Sequence, residues 1–212
     1  MMWVANNYAL ALGLLARHLL IALPAILLAI ALSIPLGWLA HRSRRIGSPL
    51  LSALGLLYAV PSLAMFVLVP TIFGIGLRSD LNIIVVLAAY GVAVLVRTCA
   101  DAFDAVPADV SRAADACGYS LWKRFWAVDL PLALPVQVAG IRVMAVSTIS
   151  LVTVGSVIGI QSLGTLFTDG FQRGITAEVL TGLVLTVVLA LVVDGLLVLA
   201  GRVLAPWERG RA

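Results

Sequence analysis

Charge is scarce in this 212-residue sequence: 10 acidic and 14 basic side chains, 11% of the total. A soluble domain usually carries about a quarter. So small a share cannot cover a water-facing surface, which excludes an ordinary cytosolic globule, a disordered chain and a DNA-binding domain. Lysine is almost missing, with Lys123 the only one. A nucleotide-binding P-loop needs Gly-x-x-x-x-Gly-Lys-Ser/Thr. Lys123 stands between Trp122 and Arg124, so the chain carries no ATP site of that kind. Cysteine and histidine are scarce too. Cys99 and Cys117 form no CxxC, and His18 and His41 flank one apolar run, so no metal site is expected. No Ser-His-Asp arrangement or paired-carboxylate site emerges either, and no catalytic residue is expected.

What the chain has is apolar length: 62% hydrophobic side chains and a mean hydropathy of +1.12. That places it in a bilayer. A helix needs about 20 apolar residues to cross a hydrocarbon core of roughly 30 Å. Leu19–Ala40 is a charge-free run of 22 residues. The 32 charge-free residues from Ile46 to Leu77 predict a helix near Pro49–Phe73, broken or kinked at Pro61 and ended by Gly74-Ile-Gly76. Leu81 to about Phe103, Ala139 to about Val157 and Val179–Gly201 complete five expected spans. Tyr8–Ala16 is too short to span, and an N-terminal helix lying along the membrane interface is expected for residues 1–18. The whole chain, 1–212, reads as one all-α, polytopic transmembrane domain.

Basic residues set the expected orientation. With the N-terminus outside, Arg42, Arg44, Arg45, Arg112, Lys123, Arg124, Arg202, Arg209 and Arg211 fall inside, against Arg17, Arg78 and Arg173 outside. Nine against three predicts a cytoplasmic C-terminus, with Trp38 and Trp207 at the inner interface. The net charge of +4 is therefore a topology signal rather than a nucleic-acid one.

This topology makes about Asp104 to Val138 the longest cytoplasmic segment. Ala108–Cys117 suits a short helix entered after Pro107 and stopped at Gly118. Ser120 suits the cap of a second helix, with Leu121, Trp122, Phe125 and Val128 on one face, ended by Leu130-Pro131 and Pro135. Two short helices meeting at a glycine make a compact knob; an amphipathic loop resting on headgroups is the plainer alternative. The segment resembles the motif of permease subunits of bacterial ATP-binding-cassette importers: EAA, three residues, Gly, nine residues, then I-x-L-P. Ala113-Ala114 precede Gly118 by that interval, and Val128-Asp129-Leu130-Pro131 follow at the right distance. Val128 replaces Ile conservatively, whereas Arg112 reverses the charge of the motif's Glu.

The stretches 60–76, 130–142 and 146–159 are similar to the osmoprotectant branch of these permeases, which takes up glycine betaine, choline, carnitine and proline. Gln161-Ser162 departs from the Gly-rich pair common there. The resemblance implies the type I importer permease fold, a coupling loop over about 104–131 with a coupling role for Ala113, Ala114, Gly118, Val128, Leu130 and Pro131, and no cofactor in this chain. It also implies partners: cytoplasmic ATPases that bind ATP and Mg, a second permease chain, identical or paralogous, and an external substrate-binding protein. The nearest alternative is a permease for methionine or another amino acid. A secondary carrier with inverted repeats is more remote, since five spans do not divide evenly, and a membrane enzyme more remote still.

Three charges fall at membrane depth: Arg97, Arg142 and Asp194. Each costs about 2.5–3.5 kcal/mol in the core on insertion scales. Asp194 is expected to pair with Arg142 or Arg97, the alternative being that both arginines snorkel independently. Ser147, Ser150 and Thr153 recur at three-residue steps, either as a polar face on the translocation path or as helix packing alone. Gly155, Gly159, Gly164, Gly170 and Gly174 suggest a flexible external segment.

Overall fold

A computed structural model describes residues 2–207, and among them every regular element is helical. Arg209 and Arg211, counted above for orientation, lie outside the described residues. The first helix, α1 (Met2–Arg42), is longer than expected. A kink at Asn7 sets off only its first few residues, so residues 8–18 are continuous with the helix of the first span and not a separate helix. The reason lies in the partners of its polar residues. Arg17 Nη2 lies 3.1 Å from Asp80, and buried His18 places Nε2 3.0 Å from the Ile149 carbonyl oxygen. Both side chains thus find protein partners.

Helix α2 (Arg44–Ala59) meets α3 (Ser62–Phe73) at a bend of 109° at Pro61. Helix α4 (Asp80–Asp104) follows, started by Ser79, whose Oγ accepts from the Leu81 N–H at 3.2 Å. Two contacts fix α1 beside α4: Arg17 with Asp80 at one end and His41 Nδ1 with Asp104 at 2.5 Å at the other. Each joins residues 63 apart, so the helices run parallel in register over 24 residues. At 1.5 Å per residue that is about 36 Å, enough to cross a bilayer core.

Two parallel spans need a crossing between them, and only the bent α2–α3 pair lies there. It is therefore one broken span, and the count is five. The break falls near mid-depth, where a freed backbone group has no water to bond. The carbonyl of Val60 is satisfied by the hydroxyl of Tyr90, ten residues into α4. Farther on, Asn82 Nδ2 donates to the Phe66 carbonyl at 2.9 Å, tying α3 to the start of α4.

After α5 (Ala108–Ala116) and α6 (Leu121–Arg124), a π-turn (Phe125–Asp129) runs without interruption into α7 (Leu130–Val152). Leu130-Pro131 and Pro135 were expected to end the second loop helix. Instead Pro131 occupies the first turn of α7, where its missing N–H costs nothing, and Pro135 lies inside the helix. The fourth span thus starts nine residues before Ala139.

A 3-10 turn (Thr153–Ile158), α8 (Gly164–Arg173) and α9 (Thr176–Leu204) complete the chain. The glycine-rich stretch is packed rather than loose. A Cβ on Gly164 would lie 2.0 Å from the Thr153 carbonyl oxygen, and one on Gly170 2.8 Å from Val179. These glycines let backbones touch.

Candidate functional site

The α5–α6 knob is built around one corner. Gly118 has φ +77°, a left-handed conformation that costs an L side chain about 1–2 kcal/mol. Its N–H donates to the Asp115 carbonyl at 3.0 Å, and the Tyr119 N–H reaches back to Ala114 at 3.1 Å. Both bonds close the end of α5 as a Schellman cap. Ser120 Oγ then accepts from the Lys123 N–H at 3.4 Å to start α6. Lys123 Nζ sits 4.4 Å above the Tyr119 ring.

A charge network, not evident from the spacing, locks the knob's two halves. Arg124 Nη1 donates to both carboxylate oxygens of Asp115, at 2.9 and 2.8 Å, and its Nε donates to Asp129 at 3.2 Å. Asp129, 5% exposed, also lies 3.5 Å from Ser111 Oγ. Burial opposes the Arg124 charge, but the two carboxylates outweigh it and hold the guanidinium above its ordinary pKa. Residues five apart do not share a face of an α-helix, so Arg124 and Asp129 gave no signal as a pair. The π-turn, with its i→i+5 bonds, brings them together.

Phe125 fixes the knob to the bundle. Buried at 4% exposure, it packs with Ala102, Phe103 and Ala133 at the ends of α4 and α7. Trp38 of α1 meets Phe125 at 5.0 Å and Trp122 at 6.3 Å between ring centroids. Of the motif residues, Ala114 is buried, Ala113 exposed and Val128 half-buried, while Leu130 packs on the Phe125 cluster. Arg112 is exposed and pairs only with Asp109, one turn back on its own helix. Any displacement of the knob must therefore move the ends of α1, α4 and α7.

The second region is a groove of about 710 Å³ between α7 and α9, lined by Val143, Val146, Ser147, Ser150, Thr186 and Leu191 among others. Arg142 and Asp194 lie along it as a two-pronged pair, Nε–Oδ1 2.7 Å and Nη2–Oδ2 2.8 Å. Arg97 is not part of this pair. Ser147 and Ser150 border the groove, whereas Thr153 does not, its hydroxyl bonding the Ser150 carbonyl at 2.6 Å. Among the described residues no group of three His, Cys, Asp or Glu side chains could hold a metal ion.

Residues 29–207 match the family of binding-protein-dependent transport system inner membrane components. The chain belongs to that family. Among curated relatives, the osmoprotectant import permease protein OsmW of Salmonella typhimurium is 32% identical over 200 residues, 92% of each chain. The carnitine transport permease protein OpuCB of Listeria monocytogenes is 30% identical over 84% of this chain and 80% of its own. The MetNI methionine transporter, solved inward-facing, superposes with a TM-score of 0.84 over 94% of this chain and 98% of that one, at 17% identity. That likeness establishes the fold of a type I importer permease. The chain is thus a multi-pass inner-membrane transport component.

Proposed function

We propose that this permease carries osmoprotectants, the class of glycine betaine, carnitine and choline, delivered by an external binding protein and driven by a separate ATPase. The similarity to OsmW over nearly the full length of both chains carries this reading. The likeness to a methionine transporter, at 17% identity, speaks to fold and not to cargo.

In this reading the N-terminus is outside and the C-terminus cytoplasmic. Arg42, Lys123 and Arg124 gather at the knob end, with Arg17 at the other, in keeping with the positive-inside pattern. ATP and Mg bind the partner ATPases. Their closure pushes the 108–131 knob through Ala113, Ala114 and Gly118, and Phe125 with Leu130 and Pro131 passes the motion to α4 and α7. Ser147 and Ser150 then line the path between two permease chains. ATP and the loaded binding protein each favour the outward-facing state, as a coupled transporter requires.

The test is uptake in proteoliposomes holding the permease, its cassette ATPase and its binding protein. ATP-dependent uptake of glycine betaine, carnitine or choline is expected, and Gly118→Pro should abolish ATPase co-purification while the permease stays folded. Uptake of methionine instead would refute the cargo. Uptake without any ATPase would make the chain a secondary carrier.

A further inference from the structure

Arg97 differs from the other charge of its kind at membrane depth. It lies on α4 seven residues before Asp104, about 10 Å inside the knob end of the bundle. It is exposed on the protomer and makes no ion pair among the described residues, whereas Arg142 is held by Asp194. Bare lipid is a costly neighbour for a guanidinium at this depth. Snorkelling to the nearer surface is disfavoured as well. Side chains leave a helix tilted toward its N-terminus, and the N-terminus of α4 is at the far side.

Position on the helix shows what Arg97 faces. Tyr90, Val94, Arg97 and Asp101 follow at steps of four, three and four, which places them on one face. Val94 borders a narrow seam with Tyr58 of α2 and Ser147 of α7. Asp101 borders a cleft with Ser48 and Leu51 of α2. Arg97 stands between them, at the edge where α2, α4 and α7 come together. Ser147 belongs both to this seam and to the groove that holds Ser150.

We propose that Arg97 is a specificity-determining station of the translocation path, pairing transiently with the carboxylate of zwitterionic cargo. The assignment rests on the osmoprotectant reading above. A guanidinium offers a carboxylate two parallel hydrogen bonds. Tyr58, 54% exposed, carries an aromatic ring of the sort that attracts quaternary ammonium groups. A betaine carries both groups, and choline carries only the second.

The experiment compares glycine betaine with choline in the complete transporter in proteoliposomes. Arg97→Gln should slow glycine betaine uptake about tenfold, the factor lost with a hydrogen bond to a charged group, and leave choline at the wild-type rate. Arg97→Lys should restore part of the betaine rate. Arg97→Cys, in a Cys99→Ala/Cys117→Ser background, should react with a membrane-impermeant thiol reagent and be protected by glycine betaine. Equal loss for both cargoes, or no loss for betaine, overturns the assignment, as does a cysteine at this position that stays unlabelled. Wild-type protein that transports none of glycine betaine, carnitine and choline would refute the osmoprotectant reading itself, a failure visible before any variant is compared.

Discussion

Helices α4 and α9 are both long apolar spans, and the more apolar of the two is the less buried. In the most apolar stretch of α4, 67% of residues are buried within the protein, against 11% for α9. In water the order would be the reverse. Inside a bilayer, lipid tails are as apolar as leucine, so hydropathy provides no drive for one helix to seek another. Small residues that let backbones approach decide the matter. Gly91 shows how close: a Cβ there would lie 2.6 Å from Ala29 and 3.2 Å from the Met144 sulfur. On α9, Leu183, Val187, Leu191 and Leu199 point outward, and a Cβ on Gly195 would meet nothing within 4 Å. That face packs against nothing else among the described residues.

The contrast can be broken at its centre first. Gly91→Leu should cost about 3 kcal/mol by overpacking, read as loss of monodisperse protein on size exclusion in detergent. Gly195→Leu on α9 should leave the same profile intact. The next effect is that of the Arg142–Asp194 pair that ties α9 to α7. Asp194→Ala strands Arg142 and should lower thermal stability in detergent, whereas the swap Arg142→Asp/Asp194→Arg should recover much of it. Failure of the swap would mean that packing alone holds α9.

Smaller effects belong to the knob, where local backbone geometry replaces helix packing. Gly118→Ala should cost about 1–2 kcal/mol, all of it from the left-handed corner, since a Cβ there meets no atom within 4 Å. Faster hydrogen exchange over residues 114–124, with the spans unchanged, would be the signature. Ser120→Ala removes one cap bond and should cost about 0.5 kcal/mol, visible only as fraying of α6.

Some of this was readable in advance for a definite reason. Glycine at 118 and proline at 61 act through their own backbones, so their sequence positions already mark a corner and a break. Ser120 likewise signals its cap. Asp194 announced the need for a cationic partner but not which one, because Arg97 and Arg142 sit at similar expected depths and only the packing of α7 on α9 separates them. The Arg124–Asp129 pair escaped notice because its spacing suits a π-turn, and no residue signals such a turn. That residues 8–18 continue the first helix was not legible because the partners of Arg17 and His18, Asp80 and Ile149, lie 63 and 131 residues away.

The sequence alone determined that the chain lives in a bilayer, that it crosses five times and where the loop between the third and fourth spans turns its corner. These follow from residue-by-residue partition into lipid and from single-residue backbone limits. Tertiary structure alone decided where the first and fourth helices begin, how sharply the second span bends, that α4 is central and α9 peripheral, and which of Arg97 and Arg142 meets Asp194. Those outcomes depend on the shapes of small residues and on a few polar contacts between distant parts of the chain, which hydropathy does not record.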